Sequence, residues 1–168
     1  DSTVTGLLAD ADRAMYEAKA ERRGEPVSRD PLRQRTANER RRMADELAAG
    51  LRRGEIVAHL QPIVSIPGNE PIAVEALARW NHPRLGLLGP LSFLSLAEDA
   101  GLDLQLGDAV LIDACRTIAT IPRPLGLGVN LSVAQLADQG FPARLASILA
   151  ATGVEPDRLV VEITERDT

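Results

Sequence analysis

Three side chains in this chain of 168 residues stand where an apolar residue would be cheaper. Glu75 lies in Ile72-Ala73-Val74-Glu75-Ala76-Leu77-Ala78-Arg79-Trp80, Asn130 in Gly128-Val129-Asn130-Leu131-Ser132, and Glu162 in Leu159-Val160-Val161-Glu162-Ile163-Thr164-Glu165. Each run reads as a β-strand. A buried carboxylate without a partner costs on the order of several kcal/mol, so such groups are normally paired or bound to a metal. Period-2 alternation places Glu75, Leu77 and Arg79 on one face of the first strand. Glu75 could therefore simply pair with Arg79, and a salt bridge stays open for any one of these carboxylates taken singly. Two carboxylates and an amide oxygen on successive parallel strands form an all-oxygen ligand set, which favours Mg²⁺ or Mn²⁺ over zinc. The residues thus point to a metal-dependent site at the mouth of an α/β barrel, with the reaction unspecified.

The elements that must position these groups are legible from periodicity. Residues 55–66 and 71–80 read as two strands joined by a Pro67-Gly68-Asn69 turn. Helices are expected over about 91–100, ended by Gly101, and about 103–120, with Leu106, Val110, Ala114 and Ile118 on one face. Gly126–Leu131 is a short strand, 133–151 is helical with a break near Gly140-Phe141-Pro142, and Leu159–Thr164 is a strand. Alternation of strand and helix from residue 71 onward implies parallel strands with crossover helices. Upstream, 5–22 is an amphipathic helix stopped by Gly24 and Pro26, and polar, aperiodic 25–36 is a linker. A helix over about 39–52, capped by Asn38, carries a Met43, Leu47, Leu51 stripe.

Composition limits the function classes. A net charge of −5 argues against a surface built for DNA or RNA polymers, and four aromatic residues in all leave little for a base-stacking platform. Of the 19 basic residues only Lys19 is a lysine, which we read as compositional bias. No stretch approaches a transmembrane span, and the first 24 residues lack the apolar core of a signal peptide. The single cysteine, Cys115, fits a small core residue in a reducing compartment, and the cytoplasm is the default expectation. His59 and His82 have no second histidine at ligand spacing and are expected to be structural, as are Trp80 and Phe93.

Residues 54–168 resemble the EAL family of cyclic-di-GMP phosphodiesterases. The resemblance rests on Leu60-Gln61-Pro62-Ile63-Val64, Glu75-Ala76-Leu77-Ala78-Arg79-Trp80, His82-Pro83, Ala97-Glu98, Gly101, Ala114-Cys115, Asn130-Leu131-Ser132, Gln135-Leu136 and Glu162-Ile163-Thr164-Glu165. A three-letter motif alone is weak; this order and spacing over more than 100 residues is specific. Residues 1–24 similarly resemble the end of a GGDEF domain through Ala9-Asp10-Ala11-Asp12-Arg13-Ala14-Met15-Tyr16-Glu17-Ala18-Lys19. The resemblance implies a division into 1–24 (GGDEF-like tail), 25–38 (linker) and 39–168 (N-terminal part of an EAL domain). It also implies an α/β fold forming about half of a (β/α)8 TIM-like barrel.

Carried over residue by residue, the resemblance implies that Glu75, Asn130 and Glu162 are ligands of Mg²⁺ or Mn²⁺. Arg79 would contact a phosphate of cyclic-di-GMP, Gln61 and Leu77 would line the nucleotide pocket, and Glu165 would support a later loop. The implied reaction is hydrolysis of one phosphodiester bond to give linear pGpG. Leu60 and Ala109 depart from the aromatic residues usual at their positions. The family's later Asp-Asp motif, lysine and glutamate fall outside the chain, so the 168 residues alone are expected to be inactive, with an exposed strand edge after Glu162. Two rivals stay open: a degenerate EAL domain that senses cyclic-di-GMP without cleaving it, and an interaction element, a homodimer included, built on the helix at 39–52.

Overall fold

The computed structural model describes residues 37–122 and 125–163. The helix expected at 5–22, the linker as far as residue 36 and Glu165 lie outside them; 37 and 38, assigned to the linker by the division at 38/39, are already helical. The first helix, α1, spans Ala37–Arg53; Asn38, expected as its cap, already lies inside its first turn. Met43 and Leu47 are buried, so the stripe weighed as a chain-pairing surface packs instead into the chain's own core. Arg52 and Arg53 lie in the last turn, where positive charge favours the helix dipole. Gly54 then takes φ 71°, a left-handed conformation that ends helices and suits glycine.

Strands β1 (Ile56–Val64) and β2 (Pro71–His82) form the expected hairpin, antiparallel, with Gln61 opposite Glu75 and His59 opposite Leu77. Pro62 cannot donate to a ladder, and it is accommodated because β1 ends the strand order. A short β3 (Gly86–Leu88), not foreseen from sequence, folds back on the end of β2, with Trp80 opposite Leu88. A 3₁₀ turn at Pro90–Ser92 leads into α2 (Leu94–Asp99), and Gly101 at φ 64° closes that segment. Helix α3 (Asp103–Ala119) buries Leu106, Leu111, Ala114, Cys115 and Ile118. Its buried face is thus turned slightly from the expected one, since Leu111 replaces Val110.

Strand β4 (Gly126–Leu131) has the bounds read from sequence, followed by α4 (Val133–Ala137), α5 (Phe141–Thr152) and β5 (Leu159–Ile163). The sheet order is β1-β2-β4-β5, with β3 on the extension of β2. β2 and β4 are parallel, as are β4 and β5. The expected crossover topology is therefore present, as an open α/β sheet among the described residues.

Both cores lie on one face of the sheet. Val74, Ala76, Leu127 and Val129 pack on Leu111, Ala114, Cys115 and Ile118 of α3 and on Phe141 and Leu149 of α5. Trp80 and Ile56 pack with Met43 and Leu47 of α1 and with Phe93 and Leu96. The even-numbered residues of β2 thereby face helices. Its odd-numbered residues, Glu75, Leu77 and Arg79, are left to the opposite face.

Candidate functional site

That opposite face gathers the polar residues singled out by sequence. Gln61 and Glu75 are partners across β1–β2, Glu75 and Gly128 across β2–β4, and Asn130 and Glu162 across β4–β5. Residues paired in register point to the same side of a sheet, so Gln61, Glu75, Asn130 and Glu162 share one surface. Leu77 and Arg79 continue along it on β2. Glu75, Leu77 and Arg79 are half-buried, while Gln61, Asn130 and Glu162 are exposed. The burial cost that flagged Glu162 in sequence is therefore not incurred among the described residues; its position in register carries the argument instead.

Two of the three candidate ligands touch. Asn130 donates through Nδ2 to Glu75 Oε1 at 2.9 Å. The alternative pairing of Glu75 with Arg79 is not formed: Arg79 donates through Nη1 to the carbonyl of Ala78 at 2.8 Å and has no carboxylate partner among the described residues. Glu162 leans back over Gly128, where an added Cβ would lie 3.1 Å from Glu162 Oε1 and 3.8 Å from the Glu75 Cα. Gly128 thus floors the space between the carboxylates. Sequence reasoning missed it, although a glycine inside a strand often marks a close approach.

A hard divalent cation fits this donor set in kind, with carboxylate oxygens from two strands and an amide between them. Among the described residues no three His, Cys, Asp or Glu side chains converge. For a cation held here the Asn130 amide would be the third donor and would have to present Oδ1, whereas the hydrogen bond to Glu75 uses Nδ2.

Several contacts hold the strands that carry the site. On the covered side of β2, Trp80 Nε1 donates to Glu55 Oε2 at 3.1 Å. Buried His82 meets Glu46 Oε2 through Nε2 at 2.8 Å, and its Nδ1 accepts from the backbone N–H of Arg84 and Leu85, both at 3.1 Å. Those two acceptor bonds place the His82 proton on Nε2, the nitrogen that donates to Glu46. Arg84 also grips Glu46, and together with His82 and Arg42 it holds the Glu46 carboxyl down to about 2. The Arg53 guanidinium, helped by Trp80, likewise lowers Glu55. β1 is tied to α3 by Ala58 N–H donating to Asp113 Oδ2 at 2.8 Å.

Beyond β4, Ser132 caps α4 in a reciprocal box with Gln135. His82 has the structural role expected of it. His59, also expected to be structural, is exposed on the site face opposite Leu77. Cys115 is fully buried, and burial pushes its thiol up, as befits a core residue.

The family model described as EAL domain matches residues 44–168. An uncharacterized signaling protein of Caulobacter vibrioides is 41% identical over 165 residues, covering 97% of this chain and 20% of its own length. The bifunctional diguanylate cyclase/cyclic di-GMP phosphodiesterase MucR of Pseudomonas aeruginosa is 37% identical over 163 residues, covering 95% of this chain and 24% of that protein. The solved PaMucR phosphodiesterase in complex with c-di-GMP superposes with a TM-score of 0.68 at 38% identity, over 74% of this chain and 52% of that one. The chain thus spans a quarter or less of the length of these two curated relatives, and about half of the solved domain.

Proposed function

The chain belongs to the EAL-domain family, and we propose that its full-length protein hydrolyses cyclic-di-GMP to linear pGpG with Mg²⁺ or Mn²⁺. The observation that carries this reading is the shared surface of Glu75, Asn130 and Glu162 over Gly128, with Arg79 beside it paired to no carboxylate among the described residues. MucR, whose name includes cyclic di-GMP phosphodiesterase activity, supports the choice of substrate.

In this reading Glu75, Asn130 and Glu162 hold the cation. When bound, the cation lowers the pKa of a coordinated water and neutralises charge on the phosphoryl oxygens. Arg79 grips a phosphate of the ring, where a planar guanidinium fork matches two phosphoryl oxygens. Gln61 offers an amide to the edge of a guanine, and Leu77 an apolar wall beside it. Water adds across one phosphodiester bond, opening the ring and leaving one phosphate as a monoester. On this account β2, β4 and β5 belong to a (β/α)8 barrel. Residues 1–24 are the end of a GGDEF-like domain, and the linker to the EAL domain runs from 25 to the start of α1. The test is pGpG formation by the full-length protein with Mn²⁺, abolished by chelation.

A second reading is a sensor that binds cyclic-di-GMP without cleaving it. It is favoured by the Asn130 Nδ2 contact, which satisfies Glu75 without a cation. Calorimetric binding of cyclic-di-GMP in EDTA, with no pGpG formed when Mn²⁺ is restored, would select it.

A further inference from the structure

Gln135 is only half explained by stability: its Oε1 completes the Ser132 capping box, while the other end of the amide has no such use. It is 2% exposed and among the largest fully buried side chains of the described residues. Its Oε1 accepts from the Ser132 backbone N–H at 3.3 Å, and its own backbone N–H donates to Ser132 Oγ at 3.2 Å. Its Nε2 is buried and has no partner among the described residues. A buried donor left without a partner costs about 1–3 kcal/mol; a methionine would fill similar space without that cost, giving up in exchange the Oε1 bond to the Ser132 N–H.

The amide also makes a demand on α3. It lies flat on Gly107, where an added Cβ would stand 2.3 Å from Gln135 Cδ and Nε2 and 2.4 Å from Oε1. The next residue of α3, Asp108, accepts from Arg144 Nε at 2.9 Å, and Arg144 in turn pairs with Asp138. Helix α3 thus grips the segment after β4 at two successive residues. Gln135 and Ser132 fix the near end of that segment, two residues beyond Asn130. Arg144 and Asp138 fix the far end.

We propose that Gln135 is a positioning residue for Asn130: through Ser132 it sets the backbone at the end of β4, and so decides whether the Asn130 amide can turn its oxygen into the Glu75–Glu162 space. The inference rests on the metal reading above. It assigns the buried amide to cation affinity, with fold stability secondary.

The test is Mn²⁺ binding by the full-length protein, read from the electron paramagnetic resonance of the free ion, beside thermal melting without metal. The binding component abolished by Glu75→Ala defines the site. For Gln135→Met, which acts on Asn130 only through the Ser132 backbone, we expect that component to weaken roughly tenfold, the low end of what losing an outer-shell contact costs a metal site, while the protein melts within a few degrees of wild type. Equal Mn²⁺ affinity in wild type and Gln135→Met overturns the inference alone. A Gln135→Met protein that melts far below wild type also overturns it, since the amide is then a structural member. A wild type lacking any component sensitive to Glu75→Ala overturns the metal reading, and the inference with it.

Discussion

Asn130 donates through Nδ2 to Glu75 Oε1 across 2.9 Å, joining two neighbouring strands at residues 55 apart in the chain. The bond is possible because β2 and β4 run parallel with Glu75 beside Gly128, which brings Asn130 one pleat further along the same surface. A chain reversal through two helices separates these residues in sequence, and the sheet register reunites them. The chemistry proposed for the site depends on that register more than on any single residue.

Among the described residues the Arg79 side chain donates to the carbonyl of Ala78 and meets no carboxylate, which leaves its guanidinium available to an anion. Arg79→Lys keeps the charge and loses the planar fork, so it is not a conservative change at a phosphate site. We expect the apparent Kd for cyclic-di-GMP, measured by calorimetry in Ca²⁺ to suppress turnover, to rise about tenfold, a change worth about 1.4 kcal/mol. An unchanged Kd would remove Arg79 from the phosphate contact.

Gly128→Ala places a methyl group 3.1 Å from Glu162 Oε1. The carboxylate is the exposed end of a flexible side chain, so it gives way and the fold survives. We expect pGpG formation to fall at least about tenfold, the factor that about 1.4 kcal/mol of lost transition-state stabilisation produces. Circular dichroism and the melting temperature should stay near wild type. Full activity in Gly128→Ala would mean that the space over this glycine is not the reaction site.

Glu46 gives a prediction about pH. Arg84, then His82 and Arg42, hold its carboxyl at about 2, below its ordinary 4.5. A depressed carboxyl stabilises the fold fully above the unfolded value, and that stability is lost as pH falls from 4.5 towards 2. Because Arg84 is more than half exposed, the contribution is on the order of 1 kcal/mol. Urea denaturation from pH 6 to pH 2 should show wild type losing this increment and Glu46→Gln lacking it throughout. Parallel pH profiles for the two proteins would contradict the assignment.

Leu47 is fully buried among Met43, Trp80 and Phe93. Leu47→Ala should destabilise by about 2–5 kcal/mol, the range for emptying a packed leucine site. Chemical denaturation measures this directly. A loss under about 1 kcal/mol would indicate that α1 packs loosely on the domain.

How much of this was legible in the sequence varies with the range of the forces involved. Gly126–Leu131 emerged with its bounds because glycine and an apolar run mark a short covered strand locally. The three residues of β3 carry no such pattern; their pairing is supplied by β2, whose extension past Trp80 was not foreseen. Asn38 looked like a cap because the helix period seemed to begin after it, and the chain is already helical two residues earlier, at Ala37. Glu75, Asn130 and Glu162 were visible as polar breaks in apolar runs. Gly128 and the Gly107–Gln135 contact were not, since each gains its meaning only from a neighbour on another element. The Met43–Leu47 stripe shows the converse limit: periodicity gave the apolar face, and only packing showed that this chain covers it.

The most direct measurement is pGpG production from cyclic-di-GMP by the full-length protein in Mn²⁺, for wild type, Glu75→Ala, Asn130→Ala and Glu162→Ala. The account predicts turnover by wild type that chelation abolishes, with each substitution lowering kcat by about 100-fold or more, equivalent to about 2.7 kcal/mol. Turnover in all three variants comparable to wild type, or no turnover by wild type at saturating Mn²⁺, would contradict it.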